Sequence, residues 1–279
     1  MSNGLKEIVE AVNLYCTFDR HLDLRTLDST TFVALQEALI ASAKCETLIA
    51  FARDNAVRAD IARIERACWE RWVISETKEA QTDRAIGQRM FEKVRLGALV
   101  PGVDVERLED DVVKSAYVGH LIRFADEVPG ANVERIENVL FAKHPRPCDL
   151  AEFAAVRGAN VARIEGTVLA SGDLLAMLDL LTGSFNLGYR SVLGVNAKAV
   201  LDAIRLGIKT NTLASIHPLD LICCYEKAKA LAERYGEKPI VSLENVQNAL
   251  CTDKDRAEDQ KRMLAQMRAL IHEQPKMLQ

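Results

Sequence analysis

The sequence predicts an all-α fold: an α-solenoid of stacked helical hairpins followed by a C-terminal helical region. Two observations carry this expectation. A ten-residue motif recurs at a fixed spacing, and apolar residues fall at the helical period, with no convincing strand alternation anywhere. Composition agrees. Hydrophobic residues make up 49% of the 279 residues and charged residues 27%, a globular balance, and the 5% aromatic share disfavours sheets.

The motif is Val100-Pro101-Gly102-Val103-Asp104-Val105-Glu106-Arg107-Leu108-Glu109. It returns as Val128-Pro129-Gly130-Ala131-Asn132-Val133-Glu134-Arg135-Ile136-Glu137 and as Val156-Arg157-Gly158-Ala159-Asn160-Val161-Ala162-Arg163-Ile164-Glu165. The apolar residue between Arg and Glu serves as an anchor, and Leu108, Ile136 and Ile164 are spaced by 28 residues twice. Asp60-Ile61-Ala62-Arg63-Ile64-Glu65 is a fourth copy, and a weaker fifth centres on Leu35, with Gln36 in place of Glu. A second landmark, Phe51-Ala52, Phe124-Ala125 and Phe153-Ala154, with Leu96-Gly97 as its variant, keeps the same register. Both landmarks place about 16 extra residues in the second repeat, near 69–92.

Each repeat reads as two helices. Val133, Ile136 and Leu140 form one apolar stripe, matched by Val105-Leu108-Val112 and Val161-Ile164-Val168. Asp60, Asp104, Asn132 and Asn160 stand where a side-chain oxygen caps a helix start. Pro-Gly or Arg-Gly makes the turn before each of the last three, and Ser171-Gly172-Asp173 reads as a stop, a turn and a new cap. A lone pair of short helices cannot cover its own apolar face, so neighbouring pairs must stack.

These repeats resemble the short tandem two-helix proteins of about 28 residues per unit found in bacteria and phages, which are largely uncharacterised. The resemblance covers roughly residues 30–182. It implies a helical scaffold and carries over no catalytic residue.

The expected organisation is a repeat domain over 1–182, with an N-terminal capping helix containing Leu5, Ile8, Val9 and Val12, and a helical domain over 183–279. In the second domain Asn196 caps a helix through Leu206. Pro218 opens another that ends at Gly236, Ser242 opens one ending near Cys251, and an amphipathic helix covers 254–273. No apolar run reaches membrane-spanning length, and no signal peptide opens the chain. Seven cysteines without regular spacing read as reduced thiols of a cytoplasmic protein.

Candidate sites follow from departures and ladders. Arg63, Arg107, Arg135 and Arg163 recur once per repeat. They either line up to grip an acidic partner or a phosphate backbone, or else pair with Glu65, Glu109, Glu137 or Glu165 of a neighbouring repeat, and the second reading makes them structural. Trp69, Arg71 and Trp72 open the insert, where no other repeat has an equivalent. They either pack as core or contact a partner. Phe185, Tyr189 and Arg190 sit on a Gly-containing loop that either projects or merely joins two helical layers. Cys16 with His21 and His144 with Cys148 are the close His–Cys pairs, and neither has the second pair that a metal site needs. Cys223-Cys224 reads as buried thiols.

No catalytic constellation, phosphate loop or cofactor motif is visible, so catalytic, metal and cofactor assignments are none. An unrecognised enzyme using His217, Tyr225 and Glu226 is the weakest reading. Residues 99–170 hold 8 Lys/Arg against 12 Asp/Glu, which argues against a nucleic-acid groove. The favoured function is a protein-binding scaffold, of a kind suited to a phage-type inhibitor or adaptor. The alternative is a nucleic-acid-related protein, either a helical-repeat binder or an acidic nucleic-acid mimic. A homo-oligomer through 254–273 is a further partner option.

Overall fold

The computed structural model describes residues 26–78, 83–115, 117–183, 192–209 and 224–231, together with Glu7, Val9, Glu10, Val12 and Leu24. Among the described residues all regular structure is helical, as expected. The helices are α1 (Ser29–Ser42), α2 (Cys45–Asp54), α3 (Ile61–Lys78), α4 (Asp83–Leu99), α5 (Val105–Ser115), α6 (Val118–Glu127), α7 (Val133–Ala142), α8 (Pro147–Phe153), α9 (Val161–Ser171), α10 (Leu174–Thr182) and α11 (Ala197–Lys209). Residues 224–231 are also helical. Among the described residues no helix is long and apolar enough to cross a membrane. The chain divides into two compact units, Met1–Leu140 and Phe141–Gln279.

In the first unit, helices of one kind meet helices of the same kind. α1 packs on α3, while α2 packs on α4 and α4 on α6. The anchors Leu35, Ile64, Leu108 and Ile136 are fully buried, and so are Leu96 and Phe124 of the second landmark. Val9, Val12 and Leu24 are buried as well. The landmark's small residue marks a close approach. A Cβ at Gly97 would stand 2.9 Å from a Val128 methyl, so the lengthened repeat carries Gly where others carry Ala52 or Ala125.

The expected insertion is divided between two helices. α3 runs fourteen residues past its anchor Ile64, whereas α1 and α5 run seven past theirs. α4 begins thirteen residues before Leu96, whereas α2 and α6 begin six before Phe51 and Phe124. Each arm therefore gains seven residues, about two turns, which keeps its apolar stripe in phase and lengthens it by roughly 10 Å.

The junctions are held by a bond the sequence did not suggest. Gln36 Oε1 accepts from the backbone N–H of Asp60 at 2.9 Å, Glu65 Oε2 from that of Asp104 at 3.3 Å, and Glu109 Oε2 from that of Asn132 at 2.7 Å. All three acceptor side chains are buried. The side chains of Asp60, Asp104 and Asn132 in turn accept from the N–H three residues on, at 3.0–3.1 Å, as the cap assignments require.

In the second unit, α8 packs on both α9 and α10, and α10 on α11. Gly172, in the left-handed region at φ 71°, ends α9, and Asp173 caps α10, as expected from Ser171-Gly172-Asp173. Asn196 caps α11, and its backbone N–H reaches Glu165 Oε2 at 2.7 Å. The junction bond thus recurs beyond residue 183, where the sequence pattern had decayed. Gly194 has φ 88°, close to the 86–97° of Gly102, Gly130 and Gly158 in the same turn. The helical segment 224–231 lies against α10 through an ion pair between Lys227 and Asp179, both largely buried. The expected helices over 242–251 and 254–273 lie outside the described residues.

Two outcomes follow. Glu109→Ala strands the Asn132 amide and should lower unfolding stability by about 2–3 kcal/mol, while Glu109→Gln, which copies Gln36, should cost about 1 kcal/mol; urea titration separates them. Asp179→Ala should cost about 3 kcal/mol by leaving a buried ammonium, whereas the double change Asp179→Leu/Lys227→Met should stay within about 1 kcal/mol of wild type in the same assay.

Candidate functional site

In a repeat protein each repeat is a control for the others. The Arg ladder shows the rule. Arg63 clasps the Glu37 carboxylate of the preceding repeat through both guanidinium nitrogens. Arg135 bonds Asp110 at 2.6 Å and Glu109 at 3.2 Å, and the Asp110 hydrogen bond holds its guanidinium above the usual range. Glu37 and Asp110 occupy the same position, two residues after the anchors Leu35 and Leu108. The expected Arg–Glu pairing therefore holds in part at Arg135. At Arg63 the partner is the acid one residue further on, because Gln36 is already bonded to the next cap.

The second repeat breaks the rule. Arg66 stands where Glu37 and Asp110 stand in their repeats, and the next ladder residue, Arg107, instead lies over the Trp69 ring at 4.4 Å. Arg163 makes the same kind of contact, 3.9 Å over Phe141. Trp69 and Phe141 both come five residues after their anchors. Ion pairs hold Arg63 and Arg135, and aromatic rings lie under Arg107 and Arg163.

Lys93 is the second departure. It sits three residues before Leu96, where other repeats place buried Leu48, Leu121 and Leu150. Its side chain is 1% exposed. The ammonium is matched by Asp111, which is about one-third exposed, and lies 5.2 Å from the centroids of both Trp69 and Trp72. The two indoles meet edge to face at 5.3 Å. Trp69 Nε1–H points at Glu65 Oε1 at 3.3 Å, so the carboxylate that holds the next cap also orients this ring. A buried lysine in an apolar register position leaves no local sequence signal, because its counter-charge Asp111 lies 18 residues away on another helix.

The expected partner residues separate here. Trp72 is enclosed at 2% exposure, with its N–H on Glu92 at 2.7 Å, so it packs as core and offers no surface. Arg71 spends its guanidinium on the backbone oxygens of Ile40, Ala43 and Ala67 at 2.5–3.0 Å, satisfying carbonyls at the end of α1. Trp69 is only partly buried. One turn further along the same face of α3, Val73 is 55% exposed and Ile74 beside it is 49% exposed. Phe185, Tyr189 and Arg190 lie outside the described residues, as do Cys16, His21, His217 and Cys223.

Cysteine chemistry finds little purchase. Burial and the nearby Asp173 carboxylate push the Cys148 thiol up to about 11, so it stays protonated at neutral pH. Its hydrogen bond with the Cys45 thiol, together with burial, drives Cys68 far up. Among the described residues no three His, Cys, Asp or Glu side chains converge as a metal set would. No family model, curated protein or solved structure matches the chain.

Lys93→Leu, which restores the residue type of the other repeats, should leave stability unchanged or raise it by up to about 1 kcal/mol, since Asp111 can rehydrate. Lys93→Ala should cost about 2–4 kcal/mol through the cavity it leaves. Urea unfolding of the two variants beside wild type checks both.

Proposed function

We propose that the chain is a protein-binding helical-repeat scaffold that grips its partner through the lengthened hairpin of α3 and α4. The observation that supports this reading is the coincidence of departures in one repeat. The two extra turns per arm, both tryptophans of the chain, the buried Lys93 and the exposed Val73 and Ile74 all belong to that hairpin or to its junction with the next. Local rules are most often broken where function demands it. An exposed Val–Ile pair beside a partly exposed indole and cationic side chains also has the composition of an interface centre with its rim.

A cytoplasmic setting fits Cys45, Cys68 and Cys148, which form no disulfide. The role of the remaining repeats is then to fix the hairpin's base, since their ladder cations are spent on neighbours.

The test is partner capture with a surface variant. Val73→Asp/Ile74→Asp should fold as wild type, because both side chains already face solvent. It should lose at least about tenfold in recovery of any stoichiometric protein retained by the wild-type chain. Equal recovery by the two would refute the reading.

A further inference from the structure

We infer that the junction between the second and third repeats is a carboxylate site, filled by an acidic segment of the partner protein whose apolar residue rests on Trp69 and Val73. The inference builds on the scaffold reading above and names the chemistry of the partner.

The argument is one of a missing group. At the junction before it, the Glu37 carboxylate fills the space between repeats and meets Arg63. At the junction after it, Asp110 meets Arg135 in the same way. At the junction between them the acid is replaced by Arg66, and the ladder residue opposite is still an arginine, Arg107. Two guanidiniums therefore occupy positions that hold an opposite-charge pair on either side. Both are exposed, and among the described residues no carboxylate forms an ion pair with Arg66 or Arg107. Lys93 does not relieve them, because it is itself a cation and claims Asp111.

Like charges at a position built for a pair repel, and a carboxylate from outside restores the pattern of the neighbouring junctions. Arginine favours this ligand, since its planar fork matches a carboxylate with two parallel bonds. Trp69, held by Glu65 and stacked under Arg107, gives that guanidinium a fixed platform. The partly exposed Trp69 and the exposed Val73 supply an apolar shelf alongside. The segment expected is therefore acidic with an interspersed aliphatic residue.

Both tryptophans of the chain lie here, so intrinsic emission reports on this junction alone. The probe is a short tryptophan-free peptide of glutamates around two leucines, titrated against the full chain. A saturable emission change is expected. Binding should weaken at least about tenfold when the glutamates become glutamines, and likewise for Arg66→Glu. Arg66→Glu also rebuilds the pair seen at the adjacent junctions, so the free variant should unfold at higher urea than wild type.

Stabilisation together with lost binding is a combination that a misfolded variant cannot give. The inference is overturned by any one of several results. These are no saturable change, equal binding of the glutamine peptide, unaltered binding by Arg66→Glu, lower stability of that variant, or an oligothymidine strand binding as tightly as the acidic peptide. If Val73→Asp/Ile74→Asp loses the captured partner while Arg66→Glu keeps it, the scaffold reading stands and the carboxylate site falls.

Discussion

The first unit depends on a hydrogen bond from the cap amide of one helix to a buried side-chain oxygen of the repeat before it. A helix start leaves backbone N–H groups without intrahelical partners. In the usual capping box, a Glu or Gln three residues into the same helix reaches back to the cap's N–H. Here that position holds Arg63, Arg107 or Arg135, so the acceptor comes from Gln36, Glu65 or Glu109 one repeat earlier. Local helix initiation is thereby made conditional on stacking. A repeat detached from its predecessor would lose its apolar cover and leave one cap donor unmet in the same step. The positive end of the helix dipole faces these buried oxygens, which eases the burial of a carboxylate.

The same junction explains why the Arg ladder varies while the Glu ladder hardly does. The Glu or Gln oxygen has a fixed task in the interior, and an amide oxygen serves as well as a carboxylate. The Arg lies at the surface, where its guanidinium accepts either an acid or an aromatic face with little difference in energy. That tolerance lets one junction diverge without loss of the fold. At the second repeat the divergence brings together Trp69, Arg66 and Arg107 above a buried Lys93, and two added turns per arm raise Val73 and Ile74 beside them.

Much of this was legible in the sequence. The 28-residue spacing gave the anchors, and Asp60, Asp104, Asn132 and Asn160 gave the caps. Two landmarks gave the size of the insertion, which resolves into seven residues on each arm and two in between. What stayed hidden depends on distance rather than on local pattern. The Arg–Glu spacing invites an ion pair, and nothing in one repeat says that Glu65 belongs to the amide of Asp104. Lys93 is invisible as a core residue because its counter-charge, Asp111, lies on another helix. Trp72 and Trp69 differ by three residues, and only packing decides that the first is enclosed and the second partly exposed. Asn196 was legible as a cap but not as a member of the series, because Val200, a fully buried anchor, lies 36 rather than 28 residues beyond Ile164.

The same bond reaches the last first helix among the described residues. Glu165 still accepts from Asn196, and Asn196 still caps α11, so the helix begins as its predecessors do. The residue after its anchor Val200 is Leu201, which has no oxygen to offer. A further repeat placed there would bury a cap amide with no acceptor, at a cost of about 1–3 kcal/mol. A single side chain, acceptor or aliphatic, therefore decides whether the junction bond can propagate. Among the described residues the first such acceptor is Gln36 and the last is Glu165.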